Sequence, residues 1–149
     1  MVLINIFEIS DVIRFNEQIL EEPILYSKIN LLIGQPSRVV EKVNKILIYD
    51  NDGIFLYTKD EKVISQISVI FSNPGWIDHA PRNIYSDKLI IEGIEIKSLN
   101  DFYKFSDEFL DRDEEEGEGI IHLNLESLSF SVQFDIETKQ IIEISFWYS

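Results

Sequence analysis

Residues 128–136 read LSFSVQFDI, and apolar and polar side chains alternate along the whole stretch. Leu128, Phe130, Val132, Phe134 and Ile136 fall on one side, and serine, glutamine and aspartate fall on the other. A period of two predicts a β-strand with one buried face and one wet face. Such strands are typical of antiparallel sheets, because strands of parallel sheets are apolar on both faces. The stretch therefore predicts an antiparallel sheet in the second half of the chain.

Further strand-like segments surround this stretch and recur in the first half. The second half offers GIIHLNL (119–125) and EISFWYS (143–149), with the turn ETKQ (137–140) before the last strand. The first half offers KILIYD (45–50), GIFLYT (53–58) and KVISQISVIF (62–71), with turns at DNDG (50–53) and KDEK (59–62). Asp, Asn and Gly suit tight turns because such turns need positive φ. Each half thus predicts a three-stranded meander.

The two halves also resemble each other when the chain is aligned with itself at one constant offset. QISVIFS (66–72) then lies over EISFWYS (143–149), and ILYSKINLLIG (24–34) lies over DFYKFSDEFLD (101–111). The latter pair predicts two short helices, because their apolar residues recur at helical spacing. The predicted apolar faces are Leu25, Ile29, Leu32 and Ile33 in the first helix, and Phe102, Phe105, Phe109 and Leu110 in the second. A small hairpin is predicted before each helix, at VIRFNEQIL (12–20) and KLIIEGIEI (88–96).

The predicted fold class is α+β, because strands dominate and each half has one helix. We expect two tandem hairpin–helix–three-strand (ββαβββ) repeats that form antiparallel sheets with the helices packed on one face. Residues 1–149 are expected to form a single domain, with repeat halves 1–72 and 86–149 joined by an irregular linker, 73–85. A chain of 149 residues is long enough to bury a core without disulfides, and it has no cysteine.

Charge limits the classes of partner. The chain carries 13 basic and 27 acidic residues, a net charge of −14. A surface of this sign repels phosphate backbones and anionic membranes, so nucleic-acid and membrane binding are not expected. Glu8 and Asp11 interrupt the first apolar run too early for a secretory signal, and no apolar stretch is long enough to span a bilayer, so the expected location is the cytoplasm.

Half of the net charge lies in residues 99–118, mostly in the run DRDEEEGEG (111–119). A calcium loop fails on spacing, because glycine falls one residue late and His122 stands where a bidentate glutamate is needed. Two interpretations remain open: a solvated loop, or a docking surface for a basic protein. The candidate partner-binding residues are Asp107, Glu108, Asp111, Asp113, Glu114, Glu115, Glu116 and Glu118.

No catalytic, cofactor or metal motif is found, so the protein is predicted not to be an enzyme. His79 and His122 are far apart in the sequence, and no second histidine stands at a zinc-ligand spacing from either. Asp50 and Asp52 are interpreted as turn residues. In GQPSR (34–38), Gly34 and Pro36 mark a helix end, whereas Arg38 could pair with a carboxylate or contact a partner.

The stretch GQPSRVVEKVNKILIYDNDGIFLY (34–57) resembles a pattern found in a group of small bacterial proteins. The matching residues are Gly34, Pro36, Arg38, Asn44, Tyr49, Asp50, Gly53, Ile54 and Tyr57. Tyr49 departs from the pattern, which commonly has tryptophan there. Proteins of this group resemble immunity proteins of bacterial toxin systems, and the repeated helix and meander are similar to the β-lactamase-inhibitor-like repeat. The resemblance implies a binding module without cofactors.

Two functions are expected from these observations. The first is a cytoplasmic immunity protein that neutralises a cognate toxin through the acidic surface, with Phe102, Tyr103 and Trp147 as candidate anchors. The expected toxin is a nuclease with a basic groove. The alternative is a scaffold, or a domain that binds a small ligand or peptide on the concave face of a sheet.

Overall fold

The computed structural model of the protein describes residues 2–7, 12–75, 77, 79–106 and 119–149, together with the backbone of the strand at 112–115. The first half contains β1 (Ile4–Phe7), β2 (Val12–Phe15), β3 (Gln18–Leu20), β4 (Ile24–Leu25), α1 (Tyr26–Ile33), β5 (Arg38–Glu41), β6 (Lys45–Tyr49), β7 (Ile54–Thr58) and β8 (Val63–Ile70). The second half contains β9 (Leu89–Ile91), β10 (Ile94–Glu95), α2 (Leu99–Ser106), β11 (Arg112–Glu115), β12 (Ile120–Asn124), β13 (Leu128–Phe134) and β14 (Ile141–Tyr148).

These strands form two sheets. The small sheet has the order β10-β9-β1-β2-β3, and the large sheet has the order β11-β12-β13-β14-β8-β7-β6-β5, with β4 attached to β8. The pairs are antiparallel, as predicted, except that β1 and β9 run parallel. The predicted α+β class with antiparallel sheets is therefore confirmed at this level.

The core lies between the inner faces of the two sheets and takes in both helices. Ile4 and Phe15 of the small sheet, Phe130 and Phe146 of the large sheet, and Phe102 of α2 are buried in one cluster. Phe102, Phe105 and Phe130 meet edge to face, with ring centroids 5.4–6.3 Å apart. The other face of β6, β7 and β8 buries a smaller cluster, formed by Ile46, Ile48, Phe55 and Ile70 with Ile77 of the linker.

The number of strands per meander was predicted wrongly. Each helix is followed by one strand more than expected: β5 at residues 38–41 and β11 at residues 112–115. The sequence predicts no strand in either segment, because proline, glycine and consecutive charges disfavour strands. Pairing with β6 and with β12 supplies backbone hydrogen bonds that local propensity does not anticipate.

The helix bounds also differ from prediction. Leu25 lies in β4 and is 46% exposed, so it is not part of the buried helix face. The second helix begins at Leu99, and Phe109 and Leu110 lie outside the described residues. The first helix begins at Tyr26. When the chain is aligned with itself so that the last strands of the two halves match, Tyr26 and Leu99 therefore do not fall at equivalent positions. Ile136, predicted to face inward, lies beyond the end of β13 and is 47% exposed.

Candidate functional site

The acidic run forms part of the edge of the large sheet. Residues Arg112–Glu115 make up β11, which ends the strand order and pairs antiparallel with β12. Asp113 lies opposite His122, and Glu115 lies opposite Ile120. Of the predicted partner-binding residues, Asp113, Glu114 and Glu115 are thus placed on one strand. The others, Asp107, Glu108, Asp111, Glu116 and Glu118, lie outside the described residues.

Gly119 fixes the point at which the run joins the next strand. Its φ is +68°, and a Cβ atom at this position would collide with the carbonyl oxygen of Phe134. The carbonyl oxygen of Gly119 also accepts a hydrogen bond of 2.8 Å from the amide of Phe134. A side chain would therefore force β12 and β13 apart at this end. The glycine therefore allows the beginning of β12, which pairs with β11 on its other side, to lie close to β13.

The outer face of the large sheet is apolar in the first meander and mainly polar in the second. The register aligns Phe55, Ser68, Ser145, Ser131 and His122 in one row across β7, β8, β14, β13 and β12. On the β7 side this face is apolar and covered by the linker. On the β12 to β14 side it carries hydroxyl, amide, carboxyl and imidazole groups, together with Ile120 and Trp147. The acidic strand thus continues a polar half of the sheet.

Four side chains near the middle of that face form a connected polar group, which we call the serine cluster: Gln66, Ser68, Ser145 and Glu143. The Nε2 of Gln66 donates to the Oγ of Ser68 over 3.2 Å, and the two serine hydroxyls lie 2.8 Å apart. The Oγ of Ser145 donates to Oε1 of Glu143 over 3.2 Å. Burial raises the pKa of Glu143 despite hydrogen bonds from both serines and the nearby His79.

The linker is held on the apolar half of the outer face by its histidine. The ring of His79 packs edge to face against Phe55 at 5.1 Å, and its Nε2 lies 3.2 Å from the hydroxyl of Tyr57. His122 is on β12, as its position in the sequence predicted. Among the described residues, no three histidine or carboxylate side chains converge as a metal site would require.

Asp50 ties the linker to the same sheet. Its carboxylate accepts bonds from the Nε and Nη2 of Arg38 over 3.2 Å, and from the amide of Arg82 over 2.9 Å. Arg38 also donates to the carbonyl of Ala80 over 2.8 Å. Burial alone would raise the pKa of Asp50, but these bonds outweigh it and hold the pKa below its usual range. Arg38 therefore pairs with a carboxylate, one of the two roles left open by its sequence position.

Other residues of the 34–57 pattern serve the same structure. The hydroxyl of Tyr49 donates to the carbonyl of Gly34 over 3.2 Å, and Ser37 Oγ accepts the amide of Asp50 over 3.0 Å. A Cβ atom on Gly53, whose φ is +69°, would collide with the backbone of Tyr85. These contacts join the end of α1, the β6–β7 turn and the linker, so the described contacts of the pattern are structural.

The predicted aromatic anchors differ in accessibility. Phe102 is fully buried in the core and cannot contact a partner. Tyr103 is partly buried against the core, and Trp147 is partly buried on β14. The helical spacing of Phe102 marks it as a core residue, and that signal was in the sequence. The Ser68–Ser145 contact was missed, although the alignment of the two last strands with each other already pairs these two serines.

A family model described as "Domain of unknown function (DUF7738)" matches residues 6–106. No curated protein matches the chain. None of the described helices is long and apolar enough to cross a membrane.

Two solved structures match most of this chain. An extracellular protein containing an SCP domain from Bacillus anthracis str. Ames is 14% identical, with a TM-score of 0.51 over 83% of this chain and 42% of that chain. A cysteine-rich secretory protein from Staphylococcus aureus subsp. aureus Mu50 is 12% identical, with a TM-score of 0.44 over 83% of this chain and 43% of that chain. The chain therefore spans less than half the length of either protein. At so low an identity, the first likeness is one of fold alone.

Proposed function

The chain belongs to the DUF7738 family, and on the geometry of its sheets we propose that it is a non-enzymatic immunity protein that binds a basic toxin through its acidic edge. The observation that carries the proposal is the position of the acidic run. It supplies the edge strand β11 of the large sheet, where a partner can approach without disturbing the core.

Concentrated charge at an edge favours recognition by complementary charge. Residues 99–118 carry nine acidic and two basic side chains. Such a field speeds the encounter with a basic partner and disfavours acidic ones, and it affects the association rate more than the final affinity. A nuclease is the target proposed, because a nucleic-acid groove is basic and carboxylates can occupy the positions of phosphates. The cytosol is the proposed location, since there the toxin would meet its nucleic acid.

The extent of the family match also supports the proposal that the acidic run is a contact surface and the matched region is a scaffold. The match ends at Ser106, and the candidate partner-binding residues begin directly afterwards, at Asp107. The 34–57 pattern, by contrast, lies inside the match and makes structural contacts. In the proposed function, the matched region supplies the scaffold and the run beyond it supplies the contact with the partner.

We further propose that the two halves are copies of one unit. Support comes from the β8–β14 pair, in which Ser68 lies opposite Ser145, its counterpart in the alignment of the two halves. In the flanking pairs, Ile67 lies opposite Phe146, which is the counterpart of Val69. Val69 lies opposite Ile144, which is the counterpart of Ile67. This is the arrangement expected at a local two-fold axis. Superposition of the two meanders in an experimental structure tests it, and a best fit that does not align Ser68 with Ser145 would contradict it.

A protection assay tests the proposed function. A basic nuclease toxin, sought among the products of the neighbouring genes, is produced in the cytosol of a bacterial host, with and without this chain. We expect the chain to restore growth, and the Glu114→Lys/Glu115→Lys/Glu116→Lys variant to lose protection at low expression. A matched variant with the same change in net charge, Glu41→Lys/Glu126→Lys/Glu137→Lys, replaces exposed carboxylates elsewhere and should still protect. Equal protection by both variants would contradict a role of the acidic run in toxin binding.

A further inference from the structure

A groove lies between the edge of the small sheet and the first helix. Its volume is about 320 Å³. Its lining is formed by Ile19, Leu20, Glu21, Glu22, Pro23, Ile24, Leu25 and Lys28. Ile19 is 43% exposed and Leu25 is 46% exposed, so the groove presents two large apolar side chains to solvent. A groove of this volume is at the small end of the range for ligand sites, and it suits one or two side chains of a peptide.

The backbone beside the groove can accept another strand. β3 ends the strand order of the small sheet and pairs with β2 through a two-residue turn, in which Asn16 and Glu17 have φ of +48° and +70°. In such a turn Phe15 and Gln18 form the hydrogen-bonded pair, so Arg14 and Ile19 form the next, non-hydrogen-bonded pair. The N–H and C=O of Ile19 therefore point away from β2, toward the open edge.

The end of β3 is held in place by the last strand of the chain. The hydroxyl of Tyr148 donates to the carbonyl of Leu20 over 2.6 Å and accepts the amide of Ile13 over 3.2 Å. Leu25 on the other side of the groove is fixed by the pairing of β4 with β8. Both walls of the groove are therefore attached to the large sheet and need no rearrangement to bind.

Charge around the groove selects the occupant. Glu21 and Glu22 in its lining are exposed, and Glu17 is exposed in the adjacent hairpin turn. Lys28 is the one basic residue among the lining residues, and it is partly buried. An extended segment that carries basic side chains beside an apolar one would meet complementary groups on both counts.

We propose that this groove binds an extended peptide segment by strand addition to β3, with an apolar side chain seated between Ile19 and Leu25 and flanking basic residues beside Glu21 and Glu22. Main-chain bonds to Ile19 would supply affinity, and the groove would supply side-chain selectivity. The surface is distinct from β11 and does not depend on the toxin-binding proposal.

The test uses the full chain and a synthetic heptapeptide in which lysine alternates with valine and a central leucine. Binding is followed by fluorescence anisotropy at a salt concentration above the physiological one, and amide hydrogen exchange is followed by NMR. We expect binding to slow exchange of the Ile19 amide, and the matching peptide with glutamate in place of lysine not to bind. Leu25→Ala should weaken binding roughly tenfold, the loss expected from one buried apolar side chain.

Leu31→Ala is the matched control, because Leu31 is 84% exposed on the adjacent helix and does not line the groove. It should leave the affinity unchanged. The proposal is overturned if the lysine peptide does not bind, if Leu25→Ala and Leu31→Ala have the same effect, or if exchange at Ile19 is not slowed in the complex.

Discussion

Ser68 and Ser145 face each other across the β8–β14 pair, with their hydroxyl oxygens 2.8 Å apart and both residues buried. This contact lies where the two meanders join, and it links Gln66 to Glu143 through a continuous series of hydrogen bonds. The junction of the two halves is therefore polar on its outer face and apolar on its inner face.

Removing the first of the two serine hydroxyls should lower the free energy of unfolding more than removing the second one does. Ser68→Ala leaves the hydroxyl of Ser145 and the amide of Gln66 with fewer partners, and we expect a loss of about 1 kcal/mol in the free energy of unfolding. The double variant Ser68→Ala/Ser145→Ala should lose less than the sum of the single variants. Urea unfolding of the four proteins measures the coupling, and strict additivity would show that the two hydroxyls do not interact.

Asp50 should contribute stability at neutral pH that is lost in acid. Its folded-state pKa is lowered, so its contribution is present above the unfolded value of about 4 and disappears as the pH falls through the folded value. Asp50→Asn should lower the free energy of unfolding by about 2 kcal/mol at pH 7, because Arg38 loses a charged partner.

The same variant should flatten the pH dependence of stability below pH 4, where Asp60, Asp101 and Asp135, whose pKa values are also lowered, still contribute. Asp87→Asn serves as the control, because Asp87 accepts one bond, from the amide of Lys88, that asparagine can also accept. If the two variants have the same stability between pH 2 and pH 7, the role assigned to Asp50 is wrong.

Replacing a glycine of positive φ by alanine should destabilise the protein by an amount that depends on the atoms around the glycine. Gly53 and Gly34 have φ of +69° and +83°, but only at Gly53 would a Cβ atom meet other atoms, the backbone of Ile84 and Tyr85. Gly34→Ala should cost about 2 kcal/mol for the backbone conformation alone, because a ψ of −168° at this φ is normally adopted by glycine only. Gly53→Ala should cost about 3 kcal/mol or more, because the linker must also move. Thermal unfolding measures both, and equal losses would contradict the close approach of Tyr85.

Glu143 should weaken the fold when it is ionised. Burial raises its folded-state pKa, so the native state binds the proton more tightly than the unfolded chain does, and stability falls as the pH rises through that window. Glu143→Gln should therefore be more stable than the parent at pH 7 and gain nothing near pH 3. Glu126→Gln, an exposed carboxylate, should change stability at neither pH. A destabilised Glu143→Gln protein at pH 7 would show that its charge is satisfied by the serine cluster.

Alternation and turn residues predicted most strands correctly, because one face of each is buried in a continuous core. The hairpins at 12–20 and 88–96, the segments that became β6, β7, β8, β12, β13 and β14, and the irregular linker all correspond to the structure. The edge strands β5 and β11 could not be predicted in the same way. Each pairs on one side, so its formation depends on a neighbour and not on its own pattern.

The site was predicted in part. Composition alone located the acidic run, and the structure adds that Asp113, Glu114 and Glu115 belong to an edge strand. Arg38 and Asp50 both belong to the 34–57 pattern, but the pattern did not predict that they form an ion pair. The groove beside β3 was not predicted, because its walls come from a sheet edge and a helix whose relative position depends on Tyr148 and β8.

The association rate between this protein and the proposed basic toxin tests the central claim most directly. Stopped-flow measurements compare the parent, the Glu114→Lys/Glu115→Lys/Glu116→Lys variant and the matched Glu41→Lys/Glu126→Lys/Glu137→Lys variant over a range of salt concentrations. We expect the first variant to associate at least roughly tenfold more slowly at low salt and to lose most of the salt dependence, with the control close to the parent. Equal rates and equal salt slopes for the two variants would contradict a docking role for the acidic edge.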